Sequence, residues 1–287
     1  MLYKKLKDKS VRCLACAHYC QIAPDGFGIC GTRQNQNGKL VSRVYGHVAA
    51  IHVDPIEKKP LYHFMPGSEI LSIGTLGCNF RCPWCQNWDI SQATKQRNKP
   101  KNWGQKISPE EIVELAKKYK TPAVAYTYNE PAIFIEFAHD TAKLAHRIGL
   151  KNVFVTNGYL SRESFEYIKP YLDAANVDLK SMDDKFYQKF CGARLQPVLD
   201  IIRRFHDAKI HIEITTLIIP GVNDSDANLR KISKFIADLS PEIPWHISRF
   251  FPAYKMADRE PTPISSLKRA KKIAESAGLK HIYIGNI

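Results

Sequence analysis

No stretch of the 287 residues reaches the run of about 18 uncharged apolar residues that a membrane span requires. The lysines at positions 4, 5, 7 and 9 have no apolar segment behind them, so no signal peptide is expected and the cytosol is the expected compartment. Internal repeats of 20–50 residues and low-complexity tracts are also missing, which argues against a solenoid. Acidic side chains are scarce: 28 Asp and Glu face 42 Lys and Arg, a net charge of +14. Such an excess suits nucleic acid or an anionic substrate, or simply a solvated lysine-rich surface. The cations are dispersed, which favours the surface. The densest run, Lys95 to Lys106, holds Lys95, Arg97, Lys99, Lys101 and Lys106 without an acid and reads as a loop near a binding mouth. Trp103 is its one aromatic, too few for a base-stacking platform. Hydrophobic residues make up 44% of the chain and charged ones 24%, enough apolar material for a sizeable core.

Beyond residue 67, strand-like and helix-like segments alternate. Strands are expected over 69–76, 122–128, 151–156, 174–180, 210–219, 245–251 and 280–285. Helices are expected from the Ser108-Pro109-Glu110-Glu111 capping box to about 120, then over 132–148, 161–172, 183–190, 195–208, 225–239 and 264–277. Alternation at this spacing implies parallel strands with right-handed crossovers, that is, an α/β fold curling into a full or partial (β/α) barrel. Such barrels carry their chemistry at the C-terminal ends of the strands. Residues 1–66 have a different texture. They contain the turn signal Asn37-Gly38 and short β-like runs at Lys39–Val44 and Val48–Val53, and read as a small cysteine-rich extension before a core domain of residues 67–287.

The eight cysteines form two clusters and one singleton. Cys13, Cys16, Cys20 and Cys30 lie in the extension; Cys78, Cys82 and Cys85 follow the first barrel strand; Cys191 stands apart and reads as a small buried hydrophobe. Clustered cysteines in a chain of this length without a signal point to metal or redox chemistry rather than disulfides. Three thiolates on a short loop suit a four-iron cluster whose fourth iron stays open, since an electron-transfer cluster or a zinc site needs a fourth ligand. Four thiolates at the N-terminus saturate one centre, either structural zinc or an iron–sulfur cluster. His18 reads as a neighbour of that centre or a surface residue.

The segment GCNFRCPWC directly after a first barrel strand resembles the cluster loop of radical S-adenosylmethionine (SAM) enzymes, with Trp84 at the family's aromatic position before the last cysteine. Further segments match in order at the ends of later strands: Tyr126-Thr127-Tyr128-Asn129-Glu130-Pro131 in place of the family's Gly-Gly-Glu-Pro, then Thr156-Asn157-Gly158, Asp178-Leu179-Lys180 and Ile218-Ile219-Pro220-Gly221. These are similar to glycyl-radical-enzyme activases of the pyruvate formate-lyase-activating type. The resemblance implies a partial barrel of the radical SAM type, a [4Fe-4S] cluster on Cys78, Cys82 and Cys85, and SAM as cofactor. It also implies an electron donor such as flavodoxin or ferredoxin, and an oxidoreductase that takes hydrogen from a protein or small-molecule substrate through a 5′-deoxyadenosyl radical. For SAM it implies Glu130 as partner of the methionyl amine, Lys180 of the carboxylate with Asp178 orienting it, Thr156 and Asn157 at the ribose, and Trp84 beside the adenine. The chain departs from the activases in lacking both motif glycines. It also has Tyr254 where they have a histidine after the sixth strand, His246 lying earlier on that strand; neither is assigned to SAM.

A closer resemblance runs over the whole chain. Cys13-x2-Cys16-x-His18-x-Cys20, Gly28-Ile29-Cys30-Gly31, Asp54-Pro55-Ile56-Glu57-Lys58-Lys59-Pro60-Leu61 and Cys85-Gln86-Asn87-Trp88 resemble the AmmeMemoRadiSam-system radical SAM proteins. That implies a functional link to AMMECR- and Memo-type proteins and leaves the substrate open. Taken alone, the residues retain plainer readings: Glu130 as a helix N-cap, and Asp178 with Lys180 as an ion pair at a barrel mouth. A glycyl-radical-enzyme activase proper, a non-catalytic iron–sulfur electron carrier and a basic zinc-ribbon nucleic-acid binder are the competing functions. Membrane association is not expected.

Overall fold

The computed structural model describes residues 1–96 and 99–287; Arg97 of the basic run lies outside them. The chain begins with β1 (Tyr3–Lys5), β2 (Val11–Cys13) and β3 (Gln21–Ile22) in a small antiparallel sheet. β4 (Arg33–Gln36) and β5 (Lys39–Ser42) form a hairpin. Its turn is Asn37-Gly38, both with positive φ (50° and 88°), the backbone that a tight two-residue hairpin turn demands. Next come β6 (His47–Val48) and β7 (Ala50–Pro55). The second β-like run of the extension is therefore divided. Val48 belongs to β6, while β7 runs antiparallel along the next strand, β8 (Glu69–Gly74), and joins the main sheet.

After β8 and the short helix α1 (Trp88–Ser91), β9 (Gln105–Lys106) pairs back onto β6. The series then runs α2 (Pro109–Lys118), β10 (Ala123–Tyr126), α3 (Ile135–Arg147), β11 (Lys151–Thr156), α4 (Arg162–Ile168) and β12 (Ala174–Asp178). It continues with α5 (Asp184–Phe186), α6 (Leu195–Asp207), β13 (His211–Ile218), α7 (Asp226–Leu239), β14 (Trp245–Arg249), α8 (Ile264–Ser276) and β15 (Ile282–Gly285). The sheet order is β15-β14-β13-β12-β11-β10-β8-β7. The seven strands expected from residue 67 onward are all present and parallel, and β7 is the antiparallel eighth. The helix expected over 183–190 is instead α5 followed by a π-helical turn, Tyr187–Cys191, that ends on left-handed Gly192. Among the described residues no helix is long and apolar enough to cross a membrane.

The local chemistry explains the elements. Interior strands such as β10 are buried along their length, as strands covered on both faces must be. At the start of α2, Ser108 accepts from Glu111 N and Glu111 accepts from Ser108 N, closing the capping box behind Pro109. The segment after β7 crosses the N-terminal ends of the strands and forms the barrel floor. Glu213 accepts from Tyr62 N at 3.0 Å, His63 N at 2.8 Å and His246 Nε2 at 2.6 Å, while Asn176 Nδ2 reaches Pro60 O at 2.8 Å. Burial pushes the Glu213 carboxyl up, but His211, His246 and the two backbone amides outweigh it and hold it at about 2. His246 thus belongs to the floor.

The cysteine-rich segment is fastened to the barrel by a buried ion pair. Arg33 donates through both terminal nitrogens to Glu136 of α3, at 3.0 and 2.5 Å, and the two residues are 1% and 4% exposed. Glu136 also accepts from Leu2 N at 2.8 Å. Burial pushes its carboxyl up, but the Arg33 charge overrides this and holds it at about 2. Removing one partner of such a pair leaves an uncompensated buried charge and typically costs about 3–5 kcal/mol. Arg33→Ala is expected to lower unfolding stability by about that amount in urea denaturation at pH 7. A loss near zero would show that the pair does not carry the attachment.

Candidate active site at the C-terminal ends of the strands

A cavity of about 320 Å³ opens at the C-terminal ends of the parallel strands. Cys78, Cys82 and Cys85 of the loop after β8 line one side of it. That loop is held from several directions. Gly77, at φ +91°, has no room for a side chain: a Cβ would stand 2.5 Å from Thr32 Cγ2 and 2.8 Å from Thr94 Oγ1. Gly77 N donates to Ile90 O, Asn129 Nδ2 donates to Gly77 O, Arg81 N donates to Cys191 O and Lys255 N donates to Pro83 O, all at 2.8–3.0 Å. Lys95, from the basic run, donates to Phe80 O. Burial pushes the Cys78 thiol well up and raises that of Cys85. The Cys82 thiol is raised first by its contact with Cys191, then by burial.

Cys191 is not a solitary core residue. Its Sγ lies 3.8 Å from Cys82 Sγ, at the end of the π-helical turn, fully buried. Its spacing from the other cysteines gives no sign of this, because the proximity depends on how the segment after β12 folds over the cluster loop. That segment also supplies Phe186 and Phe190, whose rings stand 5.5 and 5.9 Å from that of Trp84.

The residues singled out at later strand ends do converge, with one distinction. Trp84, Thr156, Asn157, Asp178 and Lys180 line the cavity. Lys180 Nζ is 2.8 Å from Asp178 Oδ2, and although burial opposes its charge, Asp178 holds it protonated. Glu130 is fully buried and is not among the lining side chains. It accepts from Ala132 N at 3.0 Å, which caps the following turn of helix, and from Thr156 Oγ1 at 2.8 Å and Asn157 N at 2.7 Å. It therefore braces two cavity residues from behind. Tyr254 stacks on Trp88 outside the cavity, with ring centroids 5.3 Å apart.

Cys13, Cys16, Cys20 and Cys30 surround a second, small pocket with His18 and Arg33. Burial pushes the Cys13 thiol up to about 11. Among the described residues no three His, Cys, Asp or Glu side chains stand close enough around one point to hold a single metal ion. The chemistry of the donor sets nevertheless fits thiolate centres. Arg33 Nε beside the four cysteines and Asn79 Nδ2 next to Cys78 are buried donors without a protein acceptor, suited to sites of negative charge. The two regions touch. His18 Nε2 is 3.0 Å from Asn79 O, Thr94 Oγ1 donates to Cys30 O at 2.6 Å, and Ala17 N donates to Tyr159 O.

Burial pushes the Glu130 carboxyl from 4.5 up to about 7, against the hydrogen bonds from Asn157, Ala132 and Thr156. A carboxyl raised in the folded state contributes a share of stability that is complete below about 4.5 and is lost as pH rises through 7. Glu130→Gln is neutral throughout. Its melting temperature is expected to lack the decline that the parent shows over that window, in a pH series of thermal unfolding curves. Superimposable profiles for the two proteins would contradict this assignment.

Comparison with known proteins agrees with this geometry. The chain is 43% identical over 288 residues to an uncharacterized protein of Methanocaldococcus jannaschii, covering 100% of this chain and 84% of that one. It is 24% identical over 173 residues to the pyruvate formate-lyase-activating enzyme of Clostridium pasteurianum, covering 57% and 67% of the two chains. Among solved structures, a domain of the pyruvate-formate lyase-activating enzyme from Bacteroides vulgatus matches with a TM-score of 0.50 at 25% identity, over 57% of this chain and 99% of that one. A radical SAM methyltransferase from Sphaerobacter thermophilus shares the fold, with a TM-score of 0.58 at 15% identity over 77% and 67% of the chains. The family model "Radical SAM superfamily" matches residues 72–231, from within β8 into α7, and the chain belongs to that superfamily.

Proposed function

We propose that the protein cleaves SAM reductively at a [4Fe-4S] cluster held by Cys78, Cys82 and Cys85, and uses the resulting radical to take a hydrogen atom from a substrate. The observation that carries this reading is one cavity that joins the three thiols to the polar ends of successive parallel strands. A cluster held by Cys78, Cys82 and Cys85 would supply the one electron that reductive cleavage of the sulfonium S–C5′ bond requires.

The chain's own residues bind and orient. Lys180, held by Asp178, pairs with the methionyl carboxylate. Thr156 and Asn157, fixed from behind by Glu130, meet the ribose hydroxyls. Glu130 thus acts on the cofactor through these two residues. Trp84, packed on Phe186 and Phe190, offers a face to the adenine and keeps water from that wall. Flavodoxin or ferredoxin is the proposed reductant. Activation of a glycyl radical enzyme is the narrower version of this reading, supported by the likeness to pyruvate formate-lyase-activating enzymes.

Cys13, Cys16, Cys20 and Cys30 are proposed to hold a second centre, zinc or iron–sulfur, with four protein ligands and hence no open position. Its role is then structural or electron-relaying.

Anaerobically reconstituted protein is expected to form 5′-deoxyadenosine from SAM under strong reductant, and alanine at Cys78, Cys82 or Cys85 to abolish this along with cluster iron. Lys180→Ala is expected to keep its iron and bind SAM roughly 10- to 150-fold more weakly, the loss of a charge-assisted contact. Undiminished turnover in a cysteine variant would refute the cluster assignment. A Cys13→Ala/Cys16→Ala double variant is expected to lose the second metal and to exchange amide hydrogens faster across residues 1–66, while keeping the barrel cluster. Full metal content with parental protection would end the second-centre reading.

A further inference from the structure

The main cavity also carries charge that the SAM reading does not use. Lys58 and Lys59, in the turn after β7, both line the cavity. Lys59 is 3% exposed, and its Nζ donates to Asp54 Oδ2 at 2.7 Å. Lys58 Nζ reaches the same carboxylate at 3.2 Å. Asp54 is the one carboxylate that either lysine contacts among the described residues. Two ammonium groups thus share one negative charge, leaving a net positive charge at the cavity wall. Lys180, by contrast, is balanced by Asp178. Burial lowers the Lys59 pKa despite Asp54, as expected of a buried cation whose compensation is incomplete.

Lys59 is also deliberately held. Tyr128 donates its hydroxyl to Asp54 Oδ2 at 2.7 Å, and its ring lies 4.7 Å from Lys59 Nζ. Tyr128 adopts φ +66°, a left-handed backbone that a bulky residue rarely accepts and that tends to mark functional sites. The ring packs against Gly74, where an added Cβ would come within 3.0 Å of it. Tyr128 occupies one of the two positions that are glycine in the activase motif. Here that position keeps a glycine-like backbone and sends an aromatic side chain to the Asp54–Lys59 pair. An ammonium group has three donors, and Lys59 has one acceptor among the described residues.

We propose that Lys59, assisted by Lys58 and fixed by Asp54 and Tyr128, binds an anionic group of the substrate, a carboxylate or a phosphate, in the cavity it shares with the SAM residues. This rests on the radical SAM reading of the same cavity and specifies its substrate class. The anion completes the charge balance of the wall and places the rest of the substrate between it and the SAM residues. Such positioning raises the effective concentration of one C–H bond at the radical and limits side reactions.

The test uses the reconstituted full chain in excess SAM at constant ionic strength. Inorganic phosphate and succinate are titrated separately by calorimetry, with chloride as the control. One saturable site is expected for at least one probe: phosphate alone identifies a phosphorylated substrate, succinate alone a carboxylic acid. Lys59→Met is expected to weaken that site by about tenfold or more, the loss of one charge-assisted hydrogen bond. Lys59→Arg is expected to restore much of it. Because Lys59→Met leaves Asp54 with one fewer partner, the more exposed Lys58→Met serves as a second variant, expected to weaken binding less. No saturable binding above chloride in the parent, or equal affinity in parent, Lys59→Met and Lys58→Met, overturns the proposal. Formation of 5′-deoxyadenosine by the parent, measured on the same preparation, reports separately on the radical SAM reading.

Discussion

The attachment of the N-terminal segment depends on a buried charge that must be answered. Arg33 sits between the four N-terminal cysteines and the barrel, and only Glu136 of α3 neutralises it among the described residues. Once that pair forms, β4 and the cysteine loop have little freedom to shift. His18 then meets Asn79 beside Cys78, and Thr94 bonds Cys30 O while its hydroxyl crowds Gly77. The N-terminal cysteines and the barrel cysteines are thereby made parts of one packed body, with Val11, Ile22 and Leu40 in the same buried cluster as the barrel residues Leu71 and Phe80. Such a pair adds little net stability over a hydrophobic replacement, but breaking it is costly, which suits a role in fixing one arrangement.

The cavity divides into two chemical halves along the sheet. Toward β11 and β12, the strand ends present groups in balanced pairs: Thr156 and Asn157 against Glu130, Lys180 against Asp178. Toward the β7 edge, the polar groups are uneven, with two lysines on one carboxylate. The balanced half resembles a site preorganised for a cofactor that is always the same. The uneven half includes Tyr128, which stands where the activase motif has a glycine.

Most of the barrel was legible because parallel strands and their helices announce themselves through alternation, and the Ser108 capping box marks the start of α2 with local chemistry. The three-cysteine loop and the residues at strand ends were legible for the same reason: a barrel brings strand ends together whatever the loops do. What escaped is long-range. β7 looked like part of the extension because its short run carries no mark of the strand it will pair with. Cys191 looked solitary because its neighbour Cys82 is 109 positions away. Glu130 sits in the expected cluster, yet whether its carboxylate points into the cavity or behind Thr156 and Asn157 is a matter of rotamer and turn geometry. Lys59 and Asp54 could be noticed as a motif, but the meeting with Tyr128 depends on the left-handed turn after β10.

The N-terminal segment's fastenings also set an order of events during synthesis. Cys13–Cys16 emerge first, but their surroundings are supplied much later in the chain: Ser161 and Ser164 donate to Leu14 O and Ala15 O, Leu160 bridges to Cys16, and Glu136 answers Arg33. Contacts of such sequence separation form late, since loop closure precedes any return from them. The folded surroundings of Cys13 and Cys16 are therefore complete only once residue 164 has been made. The cover of the barrel loop comes later still, because Phe186, Phe190 and Cys191 follow residue 164, so the two groups of thiols are enclosed in the order of their sequence.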